Sequence, residues 1–249
     1  AGPGERGLVV VTEDAQPVPA PAGYQAGVDP RALVAVEADA QLLPAPAGTE
    51  DPAPLAGDPR CGFLRRAAVA AATAAACTGA LYEIELYVAC TELKSSTSLP
   101  LPAGLYHFGA AEFGLRQLRS GDFRKELVKA TGNEPSVAHA PVIVICSGVY
   151  WRNAWKYRSR TYRHFGWDNG TILANMLAVA FALKLPARIV SGFVDSQVNA
   201  LLGLDTNREA ALSVVPIGSL KSRPRKTPEI SDLALPVVPY SSEEVDYPA

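Results

Sequence analysis

The sequence predicts an α+β fold built on one central sheet. Three observations carry that expectation. Residues 141–146 form a continuous apolar run of strand length, residues 84–90 alternate with β-branched and aromatic side chains, and residues 171–184 hold a helix-length apolar stretch. Strands and helices mixed in this order indicate an α+β domain rather than a doubly wound one. With 249 residues, 48% hydrophobic and 19% charged, the chain suits one large domain with appendages and can bury a sizeable core.

Element by element, residues 1–58 are rich in Pro, Ala, Gly and acidic groups, a density of proline that prevents a continuous helix or central strand. This segment reads as an extended arm or linker, or as disorder, with a short edge strand at Val9, Val10 and Val11 and one or two helical turns within 31–42. Residues 64–76 are dominated by alanine and predict a helix. Residues 84–90 predict a strand, 95–102 a loop and 104–108 a second strand. Residues 115–118 and 123–130 read as helical, separated by the breaker Ser120-Gly121-Asp122. The run 141–146 predicts a strand buried on both faces. Asp168 or Asn169 offers an N-cap for a helix over 171–184, which is apolar nearly all round and so must be buried in the core or in a subunit interface. Pro186 ends it. A strand at 188–190, a short helix at 196–202 closed by Gly203, and a final strand at 211–215 complete the reading. No internal repeat is present.

Composition excludes several functional classes. A net charge of −2 lacks the basic footprint of a nucleic-acid protein. Cys61, Cys77, Cys90 and Cys146 lie in no CxxC or Cys/His ligand spacing, and His107, His139 and His164 show none either, so no metal is expected. Isolated cysteines in apolar runs read as buried thiols of an intracellular protein. No segment joins a basic start to an apolar stretch, and the alanine run 67–76 is too short to span a bilayer. The expectation is a cytoplasmic protein that binds neither membrane nor nucleic acid.

The most informative stretch is Trp155-Lys156-Tyr157-Arg158-Ser159-Arg160-Thr161-Tyr162-Arg163. Read alone, it is a basic and aromatic strand or turn. A phenol ordinarily ionises near pH 10, and a neighbouring ammonium and guanidinium favour the phenolate, so Lys156 and Tyr157 together offer proton chemistry near neutral pH. Downstream follow Trp167-Asp168-Asn169-Gly170, Ser191-Gly192-Phe193, Leu201-Leu202-Gly203-Leu204 and Val214-Val215-Pro216-Ile217-Gly218. This ordered set resembles the C-terminal half of the SagB-type dehydrogenases, FMN-dependent members of the nitroreductase superfamily that oxidise thiazolines and oxazolines in ribosomal peptide natural products. The resemblance covers about residues 61–218. It implies a nitroreductase-like fold, an intertwined homodimer with flavin at the subunit interface, and Lys156 and Tyr157 as the catalytic pair.

The same resemblance implies cofactor contacts. Asn169-Gly170 stands where relatives have an Ala-Gly step whose backbone approaches the flavin, and glycine lets a main chain come that close. Thr171 replaces the family's usual His. Cys77-Thr78-Gly79-Ala80-Leu81-Tyr82 resembles the motif Pro-Ser-Ala-Gly-Ala-Leu-Tyr-Pro, with Ala76, Cys77 and Glu83 in place of its first proline, its serine and its last proline. Arg158 and Arg160 join the candidate cofactor contacts. The family's Arg-x-Ser-x-Arg segment, which grips the FMN phosphate, has no counterpart in residues 1–58; Arg65 and Arg66, the only basic pair upstream of Gly79, are the candidate contacts there. Lys221-Ser222-Arg223 resembles a phosphate-binding Lys-Ser-Arg, and Arg223 has the fork for a bidentate contact. Its alternative is an exposed basic tail.

The resulting expectation is a Pro/Ala-rich arm at 1–58, a nitroreductase-like domain at 59–225 and a tail at 226–249. Its activity would be FMN-dependent oxidation of an azoline-containing peptide, in a homodimer or alongside other peptide-modifying enzymes. Two alternatives stay open: a degenerate, FMN-free subunit that serves as scaffold or partner-binding module, and an NAD(P)H-dependent nitro or quinone reductase.

Overall fold

The computed structural model describes residues 10–11, 75–93, 101–110, 114–233 and 238–245. Most of the alanine-rich run, Arg65, Arg66, Cys61 and most of the loop at 95–102 lie outside these residues; 75 and 76 are not helical.

Six strands form one sheet: β1 (Val10–Val11), β2 (Ile84–Cys90), β3 (Gly104–Gly109), β4 (Gly114–Ser120), β5 (Val142–Val149) and β6 (Glu209–Ile217), in the order β1-β4-β3-β2-β5-β6. The five long strands pair antiparallel, and β1 pairs parallel to β4 at the edge. The helices are α1 (Arg124–Ala130), α2 (Pro135–His139), α3 (Tyr150–Tyr157), α4 (Thr161–Ala182) and α5 (Asp195–Leu202).

The two-residue period of a strand explains the layering. Leu86, Val88 and Cys90 of β2 and Val142, Val144 and Cys146 of β5 face Ile172, Leu173, Met176 and Ala180 of α4. The alternate residues Tyr87, Ala89, Ile143 and Ile145 face Leu127 of α1, Val137 of α2 and Leu201 of α5. Both faces of β5 are therefore covered, which is why its sequence is a continuous apolar run.

Three expectations are corrected. Residues 115–118 form β4, not a helix, because Gly114–Ser120 pairs along β3 and tertiary pairing outweighs local propensity. Residues 188–190 form no strand; Ala187 and Val190 make only isolated bridges to Ile217 and Val214. The long helix starts at Thr161, ten residues before the predicted start, so Asp168 and Asn169 are interior residues and not caps. Gly203 does close α5 in the left-handed conformation, with φ 74°.

The stretch after β6 runs back over the domain. The buried Arg119 side chain donates to the carbonyls of Leu201 (2.9 Å) and Ser231 (2.6 Å). Further on, Glu244 accepts from Arg208 at 2.6 and 2.8 Å, Tyr240 Oη lies 3.0 Å from the Arg152 guanidinium, and Trp151 donates to the Ser241 hydroxyl. Residues 238–245 thus clamp the first turn of α3. Among the described residues no helix is long and apolar enough to cross a membrane.

Candidate active site

The strand β5 leads directly into α3, which ends at Tyr157. A single 3₁₀ turn, Arg158–Arg160, links it to α4. Arg158 holds φ 51°, a left-handed backbone that a residue with a Cβ adopts only under constraint. This reversal puts Lys156 and Tyr157 at the end of the sheet where β5 finishes.

There they meet a second 3₁₀ turn, Thr78–Ala80, just before β2. Gly79 sits at φ 66°, and a Cβ built on it would lie 2.7 Å from the Tyr157 hydroxyl. The glycine is therefore needed for close approach of the phenol as well as for its own backbone. Lys156 Nζ lies 5.2 Å from the centroid of the Tyr157 ring. The His164 ring meets Tyr157 edge to face at 4.5 Å, and Trp167 stacks beyond His164 at 5.3 Å.

Beneath this surface lies a buried polar network. Asp168 accepts from the Thr78 amide (2.7 Å) and the Thr78 hydroxyl (2.9 Å), although they are 90 residues apart. The Cys77 thiol lies 3.3 Å from both Asp168 and Glu83, and the Tyr82 amide donates to its sulfur. Asn153 Nδ2 donates to Glu83 (3.0 Å), while Asn153 Oδ1 accepts from the Thr161 hydroxyl (2.9 Å) and lies 2.8 Å from His164 Nδ1. Glu83 is 0% exposed and Asp168 5%. Burial, then the hydrogen bond with Asp168, raises the Glu83 carboxyl to about 6. Burial pushes Asp168 the same way, but the Thr78 amide and the bonds from Glu83, Thr78 and Cys77 hold it below its usual range. Below about pH 6 the pair accordingly carries its proton on Glu83 and its charge on Asp168. Burial pushes the Cys77 thiol up to about 12, so it stays protonated. Cys77, Glu83 and Asp168 bring three possible ligand atoms within 4.8 Å of one another, a grouping invisible in their sequence spacing.

Two strand positions along, Glu85 pairs with Arg152 (2.5 Å) and His107 (2.8 Å). Arg152 also donates to the Tyr82 carbonyl at 2.9 Å. Consecutive residues of α3 therefore hold Glu85 and Glu83 in turn, Arg152 through a charge pair and Asn153 through an amide.

The other predicted cofactor residues are scattered. Arg158 and Arg160 are exposed beside Lys156, and none of the three pairs with a carboxylate among the described residues; their charge fits an anionic group. Gly170 is exposed with open space around it. Asn169 is buried and its amide bonds to Ser213. The donors of Cys77 and Thr78 point inward to Glu83 and Asp168. Lys221 and Arg223 follow β6 near His139, at the end of β5 and β6 opposite to Tyr157. Sequence reasoning passed over Glu83, Asn153 and His164. A signal existed: Thr161, His164 and Asp168 stand three and four residues apart, a polar stripe at helical spacing that turns inward.

The fold and this arrangement define a class, and residues 64–219 match the nitroreductase family; the chain belongs to it. Among relatives, it is 25% identical over 138 residues to the microcin B17-processing protein McbC of Escherichia coli, covering 55% of this chain and 50% of McbC. It is 24% identical over 140 residues to a protein named for the nitroreductases, MJ1384 of Methanocaldococcus jannaschii, covering 56% of this chain and 67% of that one. In the solved structures, a nitroreductase-named protein of Anabaena variabilis superposes with a TM-score of 0.59 at 24% identity, over 77% of this chain and 42% of its own. The E. coli microcin synthetase McbBCD complex, with truncated pro-MccB17 bound, gives 0.56 at 18% identity, over 84% and 80%. The chain thus spans about half of McbC and less than half of the Anabaena protein.

Proposed function

We propose that this nitroreductase-family protein oxidises azolines in a peptide to azoles, with FMN as cofactor. The observation that carries the reading is Tyr157, with Lys156 beside its ring, on the Gly79 turn at the end of the sheet. The kinship to McbC supports it. FMN, when bound, supplies the hydride acceptor. Arg158 and Arg160 would hold its anionic part, and Gly170 would let it come close to the main chain. Tyr157 takes the proton that leaves the azoline carbon, with the Lys156 ammonium beside its ring. The peptide comes from other modifying enzymes, with which the protein acts, and two copies associate through the open face of α4, where Gly170, Ala174, Ala178 and Phe181 are exposed.

A second reading is favoured by one observation: the donors of Cys77 and Thr78 face inward. A protein that has lost FMN and serves as a scaffold for partners would show the same. The visible absorption spectrum of the purified protein, with mass analysis of any released chromophore, separates the two. Flavin bands together with loss of azole formation in Lys156→Ala and Tyr157→Phe support the dehydrogenase. A colourless protein that stays so with added FMN supports the scaffold.

A further inference from the structure

We propose that His164 is a positioning residue for Tyr157, held by a hydrogen-bonded chain that runs from Asp168 through Glu83 and Asn153. The inference rests on the reading of Tyr157 as the proton-handling group. His164 is 3% exposed and joins the buried polar network through Asn153. Its ring contacts are Tyr157 at 4.5 Å and Trp167 at 5.3 Å, so its position decides where the phenol stands.

The chain fixes the imidazole in orientation and tautomer. Glu83 Oε2 is engaged by Cys77 and the carboxyl is shared with Asp168, which leaves Oε1 as an acceptor for the Asn153 amide group. With Nδ2 committed to Glu83, Asn153 presents Oδ1 to Thr161 and His164, and an amide oxygen can only accept. His164 must therefore donate from Nδ1. This is how a buried side chain orients an imidazole in other settings, through the partner of one ring nitrogen. Gly79 packs closely against the Tyr157 hydroxyl as well, and the Arg158 backbone at φ 51° is kept in place only by what surrounds it. Glu83, which stands where the related motif has proline, is thus a link in the chain that ends on the Tyr157 ring.

The test combines a spectroscopic readout with a double-mutant cycle on the full chain. With 3-fluorotyrosine incorporated, the ¹⁹F line of Tyr157 is assigned by its loss in Tyr157→Phe. It is expected to shift in His164→Ala and in Asn153→Ala, and to move back toward the wild-type position in His164→Phe, which keeps a ring against the phenol. With an azoline peptide as substrate, His164→Ala is expected to lower kcat at least tenfold with KM within twofold. In the Tyr157→Phe background the same change should have no further effect, because two residues acting as one unit are not additive. A Tyr157 line unmoved by His164→Ala, or losses that multiply in the double variant, would overturn the proposal. If the wild-type protein oxidises no azoline, the functional reading fails, and the ¹⁹F shifts alone decide whether His164 positions Tyr157.

Discussion

Asp168 receives two hydrogen bonds from Thr78, one from its amide at 2.7 Å and one from its hydroxyl at 2.9 Å. This single carboxylate ties the interior of α4 to the turn in front of β2. The Thr171 hydroxyl adds a reach of 3.0 Å to the Ala76 carbonyl one turn later. Asp168→Asn keeps the shape but removes the charge that both donors address. Hydrogen bonds to ionised groups contribute about 1.5–3 kcal/mol each, so a loss of about 2 kcal/mol is expected in urea unfolding at neutral pH. An unchanged midpoint would mean the turn is held by other contacts.

Glu83 and Glu85, two residues apart, should leave opposite signatures on stability against pH. Glu83 is raised from 4.5 to about 6 by burial and by Asp168, so the fold binds its proton more tightly than the unfolded chain does. Its contribution is present below 4.5 and lost as pH rises through 6. Glu85 is lowered from 4.5 to about 2: burial opposes this, but Arg152 and His107 outweigh it. Its contribution, about 3 kcal/mol by linkage, is present above 4.5 and lost as pH falls toward 2. Thermal melts of Glu83→Gln and Glu85→Gln across pH 3 to 8 are the check. The first should flatten the profile between about 4.5 and 6, and the second its acid limb below 4.5.

Gly79→Ala should damage activity more than stability. The left-handed backbone costs about 1–2 kcal/mol once a Cβ is present, and that Cβ would push against the Tyr157 hydroxyl. Displacing the phenol is expected to reduce azole formation at least tenfold while the protein stays folded. Equal losses in activity and in folded fraction would show that Gly79 serves the turn alone.

The clamp of residues 238–245 predicts a remote effect. The Arg208–Glu244 pair is largely buried, and removing one partner leaves the other charge without its counter-ion. Glu244→Ala should cost about 3 kcal/mol, while Glu243→Ala, on an exposed neighbour, should stay within about 0.5 kcal/mol. Comparing their denaturation midpoints tests this directly.

Phe181 is 86% exposed on α4, in line with the exposed Ala174 and Ala178. If two copies meet on this face, Phe181→Asp should convert a dimer to a monomer in sedimentation without lowering the melting temperature of the monomer. A wild-type protein that sediments as a monomer would remove the proposed association.

The strands β2, β3 and β5 and the helices α1 and α5 were legible because each carries a local pattern. Alternation, continuous apolarity, a breaker or a left-handed glycine acts on its own neighbours, whatever the rest of the chain does. Local signals failed where distant groups outweighed them. Residues 115–118 became a strand because β3 offers them a ladder. The cap signal at Asp168 and Asn169 was overridden because Thr78 and Ser213 satisfy those side chains from elsewhere in the chain.

By itself, then, the sequence determined the α+β class and the burial of β5 on both faces. Tertiary structure alone decided that Tyr157 rests on Gly79, that Glu83 and Asp168 meet at the Cys77 thiol, and that His164 is held by Asn153. Hydrogen bonds and carboxyl pairing depend on distances of a few ångströms between residues as many as 122 positions apart, and periodicity along a chain holds no record of them.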